Sequence, residues 1–192
     1  MAYRFRRKES VPEGIRRIVV EQSSKAADEL SGGNPDIHDG VHNARKSFKK
    51  IRSLLRLAQS DLNKKVYTQE KKRIRKIKNR LASARDAEAM IETFEALSAR
   101  FPAVRECPSL GNLRDELGAR RQKISEEEVD LQQVARSTAD ELLVMQQLAE
   151  SWDLSADGFG ALGPGMLRSY RKGRKAMKTA HRKETDEHFH EW

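Results

Sequence analysis

The sequence predicts an all-α protein built from long antiparallel helices, and three observations carry that prediction. Apolar residues recur at intervals of three and four over long stretches. No stretch alternates apolar and polar residues for long between turn signals, which leaves no credible strand. The composition is 35% charged and 6% aromatic, with 11 glycines and 5 prolines in 192 residues, as long amphipathic helices require.

Taken in order, residues 4–9 form a polar, basic lead-in. Pro12 suits a first helical turn, and Ile15, Ile18, Val19, Gln22, Ala26 and Leu30 give a helical face ending near Leu30. SGGNPD at 31–36 reads as a loop, after which Asp36 or Asp39 caps a second helix reaching about Ser60. A short turn, DLNKK, leads to a third helix from about Thr68 to Arg100, with Ile74, Ile77, Leu81, Ala84 and Ile91 as its apolar track. Pro102 and Pro108 break the chain. A long acidic helical region then runs from about Leu110 to Trp152. The capping-box spacing of Ser125 and Glu128 marks a kink or restart in it. Its core residues are expected to be Val129, Val134, Leu142, Leu143, Met145 and Leu148. DLSADGFGALGPG, 153–165, reads as an interhelix linker, and Pro164 opens a last basic helix.

Several classes are excluded. The lone Cys107 rules out an internal disulfide framework and agrees with a reducing compartment. MAYRFRRKES has no apolar run after its charges, so it is no secretory signal. No segment approaches the ~20 apolar residues of a membrane span. GxxxxGK is absent, so the Gly-rich segment is no phosphate-cradling loop. The C-terminal His181, His188 and His190 lie near Glu187 and Glu191 but match no HExxH spacing, and no metal site or cofactor is expected.

Charge is the informative feature. The net charge of +9 comes from 38 basic and 29 acidic residues, but it is blocked. Residues 41–60 hold six basic and no acidic groups, 64–86 hold ten against two, and 165–183 hold eight against none. Residues 87–163 reverse the balance, with seven against fifteen. Such segregation argues for a localised anion-binding surface. Within the first block His42, Arg45, Lys49, Arg52 and Arg56 fall at helical spacing. Each stands one position after an apolar residue: Val41, Ala44, Phe48, Ile51 and Leu55. The cationic stripe therefore runs beside the buried seam and covers about 21 Å. Lys71, Arg75, Lys78 and Arg85 repeat the register in the second block, interrupted by Ala82. Arg168, Arg171, Lys175, Lys178 and Arg182 give a third stripe, behind which lies a mixed track of Leu167, Tyr170, Arg174, Met177 and His181.

Together these residues resemble the CHAD family, the conserved-histidine α-helical domains. VHNARKSFKKIRSLLRL is similar to its first signature: a His (His42), a basic residue three on (Arg45), a basic pair (Lys49, Lys50) and another at ten (Arg52). LASARDAEAM carries the Arg85-Asp86 step, and YRKGRKAM carries Tyr170, Arg171 and Arg174 of a Tyr-basic-x-x-Arg segment. HEW resembles the opening of a second signature, with His190 as its histidine. The resemblance covers nearly the whole chain. It implies paired helical bundles with internal pseudo-symmetry and a basic channel that binds inorganic polyphosphate. Residues 1–100 would form the first bundle and 101–192 the start of the second half. The chain stops at Trp192, where the second signature should continue, so a truncated second half is expected.

The expected polyphosphate-binding residues are His42, Arg45, Lys46, Lys49, Lys50, Arg52, Arg56, Lys71, Arg75, Lys78, Arg85, Arg168, Arg171, Arg174, Lys175, Lys178 and His190. Lysine at 49 and 50 keeps charge but loses the forked phosphate recognition of arginine. Catalysis is not expected, because the stripes lack the paired carboxylates that would hold metals for phosphoryl hydrolysis. A nucleic-acid-binding protein is the alternative, since a phosphodiester backbone also rewards basic helices. Against it, Phe48 and Tyr170 fall on tracks expected to be buried, leaving no base-stacking platform. The resemblance suggests a cytoplasmic location, associated with polyphosphate granules.

Overall fold

The computed structural model describes residues 3–81, 90, 93–101, 112, 113, 115–119 and 128–191, with backbone alone at 128–130 and 191. The six helices discussed below are α1 (Val11–Leu30), α2 (Ile37–Leu57), α3 (Lys64–Arg80), α4 (Glu128–Glu150), α5 (Gly158–Arg182) and α6 (Asp186–Glu191). A 3₁₀ turn, Ala58–Ser60, follows α2. Among the described residues there is no strand, so the all-α expectation holds.

α1 is the central helix, packing most extensively on α2 and α4. Its start is fixed locally. The Ser10 hydroxyl accepts from Glu13 N, and Glu13 accepts from Ser10 N at 2.8 Å, a reciprocal capping box with Pro12 just inside. Ile15, Ile18, Val19, Gln22, Ser23, Ala26, Ala27 and Leu30 are buried, and the small residues among them let neighbours approach on two sides. The facing seam on α4 is Leu131, Ala135, Thr138, Ala139, Leu142, Met145 and Ala149, continued by Trp152. Counting 131, 135, 138, 142, 145, 149 and 152, the step alternates between four and three, a coiled-coil register. This corrects the expected core. Leu142 and Met145 are buried and Val134 partly so, but Leu143 is 49% and Leu148 40% exposed; Val129 lies outside the described side chains. Apolarity alone chose large residues, whereas the seam also takes the small Ala135, Ala139 and Ala149.

α2 is capped by Asp36, whose carboxylate accepts from His38 N at 2.8 Å. Asn63 caps α3 four residues before the expected start. The two helices run antiparallel: Arg45 near the start of α2 donates to Leu81 O at the end of α3, 3.4 Å away. α3 ends at Arg80 with Leu81 as its C-cap, and a separate helical stretch covers 93–100, where one helix to Arg100 was expected. Ala84, Ile91 and the Ser125 restart lie outside the described residues.

The largest departure is at 153–165. It was expected to be a linker, yet α5 begins at Gly158 and Pro164 lies inside it. Gly158 has φ +57°, a left-handed entry turn that glycine adopts without penalty. Gly165 is where α5 meets the end of α2. A Cβ there would sit 2.6 Å from Leu57 Cα and 2.7 Å from Leu57 C, with Leu57 O nearer still. Tertiary contact therefore overrides the poor helix propensity of a segment with four glycines and a proline. The connection is 151–157, and it is pinned at three points. Arg16 donates to Trp152 O at 2.8 and 3.1 Å. Ser155 N and Ala156 N donate to Asp61 at 3.3 and 3.0 Å, and Val11 N donates to Asp157 at 2.6 Å.

Gly165→Ala and Gly173→Ala are expected to act with opposite signs, because a Cβ at Gly173 meets nothing within 4 Å. Helix propensity should stabilise the second by up to about 1 kcal/mol. Overpacking against fixed backbone should destabilise the first by roughly 1–3 kcal/mol. Urea unfolding of the two variants measures both.

The lead-in is held to α1 by charge. Arg17 donates to Glu9 at 2.6 and 2.8 Å, and this bond holds the Glu9 carboxyl down at about 2. A folded pKa below the unfolded one gives stability that is complete above the ordinary carboxylate value of 4.5 and is lost as pH falls toward 2. Glu9→Gln should therefore be less stable than the parent protein at pH 7, with the gap closing over that window. A pH series of unfolding curves checks it.

Candidate functional site

The stripe geometry read from α2 is realised. Val41, Ala44, Phe48, Ile51 and Leu55 are buried, Lys49, Arg52 and Arg56 are exposed, and His42 and Arg45 are half-buried at the start of the stripe. On α3, Ile74, Ile77 and Leu81 are buried while Lys71, Arg75 and Lys78 are exposed. Arg85 and Asp86 lie outside the described residues. α5 exposes Arg168, Arg171, Arg174, Lys175, Lys178 and Arg182. Packing the apolar stems beside a core seam limits the conformational freedom each cation would lose on meeting a ligand.

The fold brings the α2 and α5 stripes together at their adjoining ends. The 3₁₀ turn and the Gly165 contact place the last cation of the α2 stripe, Arg56, beside the first of α5, Arg168, across a cleft of about 400 Å³. Gln59, Tyr67, Ser169 and Lys172 also line it. Arg168 Nη1 donates to Gln59 Oε1, so the guanidinium is oriented from the turn. The first cation of the α3 stripe, Lys71, does not line the cleft; its Nζ lies 5.9 Å from the ring centre of Tyr67, which does. Among the described residues Arg56, Lys71, Arg168 and Lys172 form no ion pair, so their donors are not taken by carboxylates. The one described carboxylate of the α3 block, Glu70, is buried and lies 3.1 Å from Arg73. Burial pushes its pKa up, with Arg73 opposing. Its charge is turned away from the exposed face that carries Lys71, Arg75 and Lys78.

Other expected residues are placed differently. Lys50 faces the lead-in, its ammonium 5.8 Å from the Tyr3 ring centre, while Tyr3 Oη donates to Lys50 O at 3.0 Å. Lys46 donates to Asn43 at 3.2 Å. Lys49, Arg52, Lys71, Arg75, Lys78, Arg171, Arg174 and Lys178 are exposed but do not line this cleft. His190 is exposed on α6, which packs against α5, and it is not brought to the α2 stripe. The histidine that meets the basic face is His188, which lines a cleft of about 190 Å³ with Lys172, Lys175 and Thr179. Tyr170 was expected on a buried track; it is 62% exposed, with the Arg174 guanidinium 5.9 Å from its ring centre. Leu167 and His181 are exposed as well, so the track behind the α5 stripe is largely open.

Sequence reasoning missed Lys172, Gln59 and Tyr67. Lys172 stands four residues after Arg168 and is visible in the spacing. Gln59 and Tyr67 carry no charge signal and enter only through the turn between α2 and α3. Among the described residues no three His, Cys, Asp or Glu side chains are placed to hold a metal ion, and no helix is long and apolar enough to cross a membrane.

A family model described as CHAD domain matches residues 20–192. No curated protein and no solved structure compared with the chain matches it.

Proposed function

Since the chain belongs to the CHAD family, we propose that it binds inorganic polyphosphate without catalysis, along the exposed cations of α2, α3 and α5. CHAD domains are in general associated with polyphosphate binding. The observation that carries the reading here is the meeting of Arg56, Arg168 and Lys172 around one cleft, with no carboxylate paired to them among the described residues. A flexible polyanion of repeated phosphoryl groups needs many cationic donors along a path, and little shape beyond that. Arg56 and Arg168 supply forked donors at the cleft, whereas Lys49, Lys71 and Lys172 act as point charges. His42 and Arg45 continue the path toward the start of α2. A cytoplasmic, granule-associated role follows as part of the same proposal.

Nucleic acid is the second reading, favoured by the exposure of Tyr170 beside Arg174, which offers one stacking surface next to the basic stripe. Competition titrations at several salt concentrations separate the two. Long-chain polyphosphate is expected to bind tighter than single-stranded DNA or RNA at equal phosphate concentration and to displace both. Tighter nucleic-acid binding throughout would overturn the polyphosphate reading. Neutralising several phosphates with protein cations releases counterions, so affinity should fall steeply as salt rises.

Arg56→Glu with Arg168→Glu should weaken polyphosphate binding far more than Lys25→Glu with Arg136→Glu, a pair of exposed cations on α1 and α4. Both pairs change net charge equally. Equal losses in a direct binding titration would mean that bulk charge, rather than the cleft, governs affinity.

A further inference from the structure

α2 and α5 carry the same register, a basic stripe with a second track one position behind it, but only α2 has that track covered. On α5, Leu167 and Tyr170 are exposed, and Met166 and Phe159 extend the open apolar surface toward its start. A second apolar strip is open on α4, where Leu143, Val144 and Leu148 occupy the face opposite the seam against α1. Single exposed apolar residues are ordinary, but two contiguous strips on helices that pack elsewhere mark interaction surfaces.

The surroundings of the strips are opposite in charge. α5 contains no Asp or Glu between Gly158 and Arg182, and Arg168, Arg171 and Arg174 flank its strip. The α4 strip lies among exposed Asp140, Glu150 and Asp153, with Arg136 and, at its Glu141 edge, Lys76 of α3 as exposed cations nearby. Pairing α5 with α5, or α4 with α4, would bring like charges together, while pairing α5 with α4 matches acid to base around an apolar centre. α4 and α5 have no extended contact within one chain, so that match is available between chains.

We propose that the chain self-associates, with the α5 strip of one copy seated on the α4 strip of a second. Repeated reciprocally, the contact closes a two-fold dimer. It covers Leu167 and Tyr170 in the way that α2 already has Ala44 and Phe48 covered, and leaves the neighbouring stripe of Arg168, Arg171 and Lys175 at the rim. The contact does not depend on which polyanion the stripes bind.

Sedimentation velocity of the full chain across a wide concentration range tests this. A reversible dimer that weakens as salt rises is expected. Tyr170→Asp and Leu143→Asp should each weaken it by about tenfold or more, with thermal melts at low concentration unchanged because both side chains are already exposed. Met166→Asp and Leu148→Asp serve as second variants if either fails to fold. Arg171→Glu with Arg174→Glu should weaken association, as should Asp140→Lys with Glu150→Lys. The four changes combined in one chain should restore it. A monomer at every concentration overturns the proposal. So does a dimer disrupted from one strip alone, or one that the combined charge exchange fails to restore.

Discussion

The close approach of α5 to the end of α2 is the contact on which the functional surface depends. With no side chain at Gly165, the helix lies against the Leu57 backbone, and the nearest cations of the α2 and α5 stripes are brought to one cleft. Asp61 secures the arrangement by accepting from Ser155 and Ala156, so the turn after α2 holds the residues that lead into α5. Arg16 and Asp157 tie the same connection to α1. A carboxylate that looks unremarkable in the sequence thus sets where a distant basic helix sits.

That placement has an electrostatic cost. Like charges one helical turn apart oppose each other by a few tenths of a kcal/mol per pair, and the cleft gathers cations from two helices. Ordinary surfaces relieve this with interleaved carboxylates, as α3 does on its other side, where Arg80 and Lys76 reach Glu141 at 2.7 and 3.8 Å. Arg56, Arg168 and Lys172 have no such relief among the described residues. A polyanion that displaces screening counterions relieves the repulsion, so the tension in the free protein favours binding. Glu70 fits the same pattern, since its burial keeps a negative charge off the exposed face of α3.

Much of this was legible from residue spacing. The α2 stripe and its seam followed from intervals of three and four, because both lie on one regular helix whose register fixes direction. The helix starts at Pro12 and Asp36 were readable because capping is a local interaction. The α4 seam was less so. Ala135, Ala139 and Ala149 are buried by their position against α1, while the larger Leu143 and Leu148 face outward, and hydropathy cannot rank a small residue at a close contact above a large one outside it.

The sequence by itself determined the helical class, the family and the three acid-poor stripes, since periodicity, motifs and charge are properties of neighbours along the chain. Only the tertiary structure decided that 158–165 is helix, that Tyr170 is open, and that Arg56, Arg168 and Lys172 share a cleft while His190 stands elsewhere. Those outcomes depend on which backbone lies against Gly165 and which carboxylate holds residues 155 and 156. Contacts between residues about a hundred positions apart leave no trace in local spacing.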